Sequence, residues 1–360
     1  MLLRYLTAGE SHGQGLIGIL EGIPAGLELT AEDINTELAL RQQGYGRSNR
    51  QKIETDKIKI YSGVRHGKTI GSPISLILEN KDFANWQEVM SPEENKNSEK
   101  KVLVPRPGHA DLNGVLKFGF SDARNVLERS SARETAMRTA VGAICKKFLS
   151  EFGIQIETEV LSIGGVSGEK NTKAKIDEAK EQGFTLGGKI KVVAKNVPVG
   201  LGSYVHWDKK LDARLAFQLT SIQAIKAVEF GLGTKIAELK GSEVHDEIFW
   251  GKEEGFYRKS NNSGGIEGGM STGSDIEVTL SMKPIPTLMK PLNSVNLETK
   301  EVAFSHRERS DITAVFACSI IAKNLTAFVL AQAFLEKFGG DSVSETKRNF
   351  DSYVKEVNNF

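Results

Sequence analysis

Two histidines stand in glycine-bearing turns, and they are the first residues to which chemistry can be assigned. His12 lies in GESHG (Gly9 to Gly13), directly after Leu2 to Thr7, which reads as a short strand. His109 lies in RPGHAD (Arg106 to Asp111). An imidazole titrates near pH ~6.5, so either ring is available as a general acid; the plain alternative for each is a structural residue in a turn. After His109, the run ERSSARETAMRTAVGAICKKFL sets Ser131 three residues ahead of Glu134, the spacing of a capping box. Ala136, Met137, Ala140, Val141, Ile144 and Phe148 then recur at helical period. This predicts a helix that starts near Ser131 and stops at Gly153. Its amino end would combine unpaired backbone N–H groups and the positive end of the dipole with Arg129, Arg133 and the hydroxyls of Ser130 and Ser131. Such an end seats an anion, phosphate for example. The competing reading is a serine that merely caps a core helix.

Basic residues also collect between Arg41 and Lys68. Arg41, Arg47, Arg50, Lys52, Lys57, Lys59, Arg65 and Lys68 face only Glu54 and Asp56 there. Arginines in such a patch grip carboxylate and phosphate through forked, charge-assisted hydrogen bonds. The chain as a whole is balanced, with Lys+Arg 47 against Asp+Glu 46 and a net charge of +1, so no global field favours nucleic acid or an anionic membrane. No zinc-ligand spacing, HExxH, Walker loop or GxSxG elbow occurs, and no glycine-rich stretch sits between a strand and a helix as a dinucleotide fold requires. The set suits a polyanionic substrate and a phosphate-bearing cofactor, with no metal, and does not by itself name a reaction.

The elements that must position these groups are legible in part. At 360 residues and 39% hydrophobic, the chain can bury a large core. Thr30 starts a helix that ends before Gly44, with Asp33 in its first turn, which delivers Arg41 to its far end and Arg47 to the loop after it. Lys57 to Tyr61 and Ile74 to Leu78 read as strands, with His66 in the surface turn between them. Asn85 to Lys101 is polar and aperiodic after Met90, and reads as a mobile loop that would close over the site. Gln155 to Ile163, Lys189 to Lys195 and Ile276 to Met282 read as strands; Thr172 to Gln182 reads as a surface helix. Asp208 opens a helix carrying Leu211 and Leu215, and SIQAIKAVEFG after it reads as a strand or turn beside a ligand. Asn261 to Ser274 reads as a loop, and the prolines of KPIPTL (Lys283 to Leu288) hold an extended backbone. Ile312 to Phe338 is a long apolar segment interrupted by Lys323 and Asn324, so a buried core helix is expected rather than a membrane span. Ser342 and Glu345 form a second capping box ahead of a C-terminal amphipathic helix. Cys145 and Cys318, the only cysteines, read as buried reduced thiols, and the N-terminus has too short an apolar run for a signal peptide, which makes the cytoplasm the expected location.

With these motifs in hand, a resemblance appears. GESHG, RPGHAD, RSSARETAMR (Arg129 to Arg138), GGMSTG (Gly268 to Gly273) and HRERSD (His306 to Asp311) stand in the order found in the chorismate synthase family, over essentially the full length. The resemblance implies an α+β fold, a single large domain over 1–360 with core helices between antiparallel β-sheets, assembled as a homotetramer. It implies a 1,4-anti elimination of phosphate from 5-enolpyruvylshikimate 3-phosphate to give chorismate, requiring reduced FMN (FMNH2) without net redox change. By motif position, His12 would assist the departing phosphate as general acid, His109 would sit at the flavin, and Asp311 would help take the ring proton through the flavin N5. Arg41, Arg47 and Arg133 would hold substrate; Arg41 and Arg47 also match family positions for NADP(H), so NADPH enters as an indirect reductant. For FMN the resemblance implies Arg129, Ser130, Ser131, Gln223, Ala224, Gly268, Lys283, Pro284, Ile285, Pro286, Thr287 and Arg309. KPIPT replaces the commoner KPTSS, Gln223 a frequent asparagine, and HRERSD departs from common forms around Arg309. Without a long insertion, the chain resembles members served by an external flavin reductant. Two rival readings remain: an FMN-dependent reductase, which would consume NADPH stoichiometrically, and a phosphate- or RNA-binding protein, which would show a basic face and steep salt dependence.

Overall fold

β1 (Arg4–Gly9) and β2 (Gly15–Glu21) run antiparallel with Thr7 opposite Gly18, and the GESHG turn joins them. The computed structural model describes residues 3–47, 55–94, 100–305 and 310–360. Along β2 the side chains alternate as a half-covered strand demands, with Leu16 and Leu20 buried and Ile17 and Ile19 facing outward. α1 (Ala31–Gln42) starts at a reciprocal cap: Thr30 N donates to Asp33 Oδ2 at 2.8 Å and Asp33 N to Thr30 Oγ1 at 3.4 Å. β3 (Lys59–Ile60) and β4 (Ile74–Glu79) complete an antiparallel sheet in the order β1-β2-β4-β3. The turn between them is itself a small hairpin, Val64–Arg65 with Lys68–Thr69, and His66 is exposed at its tip as expected.

Three helices follow: α2 (Asp111–Phe118), α3 (Arg124–Ser130) and α4 (Thr135–Ser150). A second antiparallel sheet is built from β5 (Gln155–Ile163), β6 (Gly188–Lys195), β7 (Ile225–Phe230) and β8 (Ile276–Met282) in the order β5-β6-β8-β7. α5 (Glu169–Gln182) and α6 (Leu211–Thr220) lie on its connections. α7 (Val315–Phe338) and α8 (Val343–Asn358) close the chain. α4 packs on β2 and α1, α7 packs on β5 and β6, and the two helices lie along each other between the sheets. The expected α+β sandwich is therefore the observed one, with a main core drawing on residues from Leu3 to Phe338 and a small second cluster of Val102, Val115, Ala123 and Leu127.

α7 is long and apolar enough to cross a membrane, but most of it is buried in this core. Its two interruptions explain themselves. Lys323 Nζ lies 2.7 Å from Glu37 Oε2 of α1, and Asn324 Nδ2 donates to the same oxygen at 2.8 Å, so the buried charge is paired. Gly142 is what lets α4 come this close, since a Cβ there would sit 2.3 Å from the backbone oxygen of Asn324. Alanine in a helix ordinarily gains about 1 kcal/mol over glycine. Gly142→Ala should instead lower unfolding stability by about 1–3 kcal/mol, the usual cost of overpacking. Urea unfolding checks this, and an unchanged or raised midpoint would mean the crossing opens at no cost.

Several local expectations need correction. Asn261 to Ser274 is not structureless, since Ile266–Glu267 pairs with Met270–Ser271 around Gly268 and Gly269, whose φ of 58° and 84° suit a tight hairpin. A 3-10 turn over Trp207–Lys209 precedes α6, so Asp208 does not open it. At α8 the cap holds, with Glu345 N donating to Ser342 Oγ at 3.2 Å, but the reciprocal bond comes from Asp341 N rather than Ser342 N.

Candidate active site

The Ser131 junction is a break between two helices, not the start of one. Ser131 is extended (φ −58°, ψ 142°), and its hydroxyl accepts from Arg133 N at 3.2 Å, capping a single 3-10 turn, Ala132–Glu134, that leads into α4. The expected box fails because Glu134 finds better donors far away in sequence, accepting from Thr7 Oγ1 at 3.0 Å and Gln223 Nε2 at 3.3 Å. Ser131 Oγ in turn donates to Ser11 Oγ of the GESHG turn at 3.1 Å. The junction thus ties β1, the histidine turn and the turn before β7 into one corner.

A cavity of about 590 Å³ opens at this corner, a size typical of small-molecule sites. Its wall takes Ser130, Ser131 and Arg133 from the junction, His109 from the loop before α2, and Arg41 and Arg47 from the end of α1 and its loop. Gln223 and Ala224 enter from the turn before β7, Lys283, Ile285, Pro286 and Thr287 from the segment after β8, and Asp311 from the approach to α7. Four residues singled out in the sequence are not on that wall. Arg129 is exposed and holds the end of β1, donating to Thr7 O at 2.9 Å and Gly9 O at 3.2 Å. Gly268 tips the small hairpin, Pro284 is exposed between two wall residues, and His12 lies next to the wall residue Ser11. Arg309 lies outside the described residues.

The arginines are locked rather than loose. Arg133 Nη1 is 2.6 Å from Asp56 Oδ1 and its Nε donates to Asn80 Oδ1 at 3.1 Å. Arg41 donates to Thr135 Oγ1 and to Ala132 O at 2.9 and 3.0 Å, and lies 3.5 Å from Asp56 Oδ2. Burial, offset in part by Asp56 and reinforced by the Arg133 and Arg47 charges, lowers the Arg41 pKa to about 10. Arg47 Nη1 lies 3.1 Å from Asp311 Oδ2, both side chains being about nine-tenths buried. Among the described residues, three arginines face two aspartates here, one positive charge in excess.

At the other end His109 Nδ1 is 2.5 Å from Asp111 Oδ1, the fully buried first residue of α2. Arg106 clamps Asp111 through Nε at 2.8 Å and Nη2 at 3.1 Å and donates Nη1 to Thr287 Oγ1 at 3.1 Å. The third side of the corner is His12. Its Nδ1 lies 2.9 Å from Glu128 Oε1, its backbone N–H donates to Glu128 Oε2 at 2.8 Å, and the Trp86 ring stacks on it at 3.9 Å. The start of the Asn85 to Lys101 stretch is therefore not a free arm; residues 95–99 of it lie outside the described residues. Asn80 Nδ2 fixes the turn by donating to Gly13 O at 2.9 Å and Glu10 O at 3.1 Å. Sequence reasoning missed Asn80, Trp86 and Asp56 as site residues, and nothing local marks the first two; Asp111 stood inside the quoted RPGHAD, and Glu128 opens the quoted run ERSSARETAMR.

Asp111 and Glu128 carry a pH dependence. Burial raises each carboxyl's pKa, but His109 and Arg106 on one side, and His12 and Arg124 on the other, more than reverse it, leaving both net lowered. A group with a depressed folded pKa contributes stability above its unfolded value and loses it as pH falls through the folded one. Stability should thus hold down to about pH 5 and fall steadily below it, through the unfolded carboxyl range near 4; a urea midpoint unchanged between pH 6 and pH 3.5 would contradict these pairings.

Comparison with known proteins decides the family. A chorismate synthase family profile matches residues 3–335. The chorismate synthase of Thermoanaerobacter pseudethanolicus is 54% identical over 358 residues, covering 99% of this chain and 100% of that protein, and that of Geobacter sulfurreducens is 51% identical over 393 residues, covering all of both. A crystal structure of a chorismate synthase, 43% identical, superposes with a TM-score of 0.81 over 100% of this chain and 99% of the other. The chain belongs to the chorismate synthase family. Chorismate synthase activity, a lyase reaction of aromatic biosynthesis, comes with that membership. The sandwich of helices between antiparallel sheets is the chorismate synthase fold.

Proposed function

We propose that the chain eliminates phosphate from 5-enolpyruvylshikimate 3-phosphate in 1,4-anti fashion to give chorismate, with reduced FMN required and no net redox change. The carrying observation is the single cavity in which arginines, His109, Asp311 and donor-bearing turns from distant segments converge. The residues fit a flavin: Ser130 Oγ, Gln223 Oε1 and Arg47 Nε are buried on wall residues without a hydrogen-bond partner among the described residues. Buried polar atoms are ordinarily paired, so a hydroxyl, an acceptor and a donor here suit a ligand with polar edges of both kinds. Ala224, held at a φ of 69° with its carbonyl accepting from Lys283 N at 2.9 Å, keeps the Gln223 turn in a conformation that non-glycine residues rarely adopt. Ser130, Ser131, Gln223, Ala224 and the Lys283 to Thr287 backbone would hold the flavin, which supplies transient negative charge to the ring that loses phosphate. Arg129, Gly268, Pro284 and Arg309 belong to this proposal by motif position alone.

The protein's own groups divide the work. Arg133, Arg41 and Arg47 hold the substrate's carboxylates and phosphate at the end with excess positive charge, orienting the leaving group. His12 donates a proton to the departing phosphate, and Asp311, held in place by Arg47 at 3.1 Å, is the carboxylate at which the ring proton ends. His109, polarised by Asp111, donates toward the flavin. Reduction comes from an external reductant, with NADPH behind it. The cytoplasm is the proposed location and a homotetramer the proposed assembly; the apolar outer face of β1 and β2, with Leu6 74% and Ile17 46% exposed, suits a covering subunit. Anaerobic stopped-flow mixing with catalytic reduced FMN tests the reaction: many chorismates and phosphates per flavin are expected, with the flavin still reduced at the end. One NADPH consumed per product would instead mark a reductase.

A further inference from the structure

The geometry points to Glu128 as the positioning residue of His12, a buried carboxylate that fixes the imidazole proton on Nδ1 and so reserves Nε2 for the leaving phosphate. This rests on the reading of His12 as the acid. The two side chains are 6% and 1% exposed, so water competes little for either. Both Glu128 oxygens reach His12 across 116 positions of chain: Oε1 contacts the ring at 2.9 Å, and Oε2 contacts the ring at 3.1 Å and accepts from the His12 backbone N–H at 2.8 Å. An ionised carboxylate only accepts, so Nδ1 must carry the hydrogen, which leaves Nε2 as the nitrogen that gains and gives the catalytic proton.

The neighbours support the same assignment. Arg124, one helical turn before Glu128 on α3, donates to Oε1 at 3.2 Å and keeps the carboxylate ionised. The Trp86 ring stacks on the imidazole with 26° between planes, so the ring cannot swing. Lys100 Nζ lies 4.0 Å from the centre of that indole and Arg124 5.1 Å, so the cations lie against the indole, and Glu128 is the anion bonded to the ring. A carboxylate that merely stapled the histidine turn to α3 would need the backbone bond alone; the additional pair of ring contacts is what orientation requires.

Nitrogen-15 spectra of histidine-labelled protein decide the matter without relying on turnover. At a pH where His12 is neutral, Nδ1 is expected protonated and Nε2 bare; the reverse tautomer in the unmodified protein overturns the assignment, whatever any variant does. Glu128→Gln, able to donate as well as accept, should mix the tautomers and lower kcat by about 10²-fold or more, the usual worth of an oriented general acid, with substrate KM and FMN affinity within about 3-fold. Glu128→Asp should restore part of kcat. Unchanged kcat and tautomer in Glu128→Gln would sink the proposal while leaving His12 as acid. If His12→Ala retains turnover, the acid reading fails instead, and the tautomer measurement separates the two failures.

Discussion

His12→Ala should reduce turnover by about 10²- to 10⁴-fold, the range associated with loss of a positioned general acid, while FMN affinity stays nearly intact. The asymmetry follows from where the ring sits. His12 is outside the cavity wall proper, adjoining it through Ser11, and its ionic partner among the described residues is Glu128. Among the described residues its side chain meets Glu128 and Trp86, not Gln223, Ala224 or the Lys283 to Thr287 segment proposed for the flavin. Phosphate is a poor leaving group unless its charge is met as the bond breaks, so the missing proton weighs on the chemical step. Single-turnover kinetics and flavin fluorescence titration check both halves. Full turnover in the variant would remove the role, and a parallel loss of FMN binding would mean the Trp86 and Glu128 contacts serve the cavity as a whole.

Asp56→Ala should cost about 3–5 kcal/mol of stability, the usual penalty for stripping one partner from a buried ion pair. Asp56 is wholly buried and serves two guanidinium groups, at 2.6 Å for Arg133 and 3.5 Å for Arg41, that are 10% and 7% exposed. Removing it leaves Arg41, whose pKa burial already lowers to about 10, facing Arg133 and Arg47 with less opposing charge. Relief can come from outside. Inorganic phosphate, which replaces the lost negative charge, should raise the melting temperature of the variant more than that of the parent, because a ligand stabilises in proportion to its binding to the folded form. Urea unfolding with and without phosphate measures both effects; a loss below about 1 kcal/mol would show that the pair is hydrated.

Particular residues show how far local reading reaches. β8 was legible to the residue, and the Thr30 cap, the α7 interruptions and the buried cysteines were all foreseen, because each is set by period, propensity or polarity within a few positions. Burial now pushes the Cys318 thiol up to about 12, as an apolar setting must. The Ser131 box failed for the converse reason. Glu134 had a good local partner in prospect, and two donors brought from Thr7 and Gln223 won.

The sequence by itself determined the family, the sandwich class, the principal elements and the types of residue that do chemistry, since motif spacing and hydrophobic period are local properties. Only the tertiary structure decided which of those residues share a cavity, that Arg47 is paired with Asp311, and that Glu128 and Trp86 hold His12. Those pairings join positions 74 to 264 apart in the chain, and what sets them is the desolvation of charge inside a packed core: a buried ion must find a partner wherever the fold brings one near.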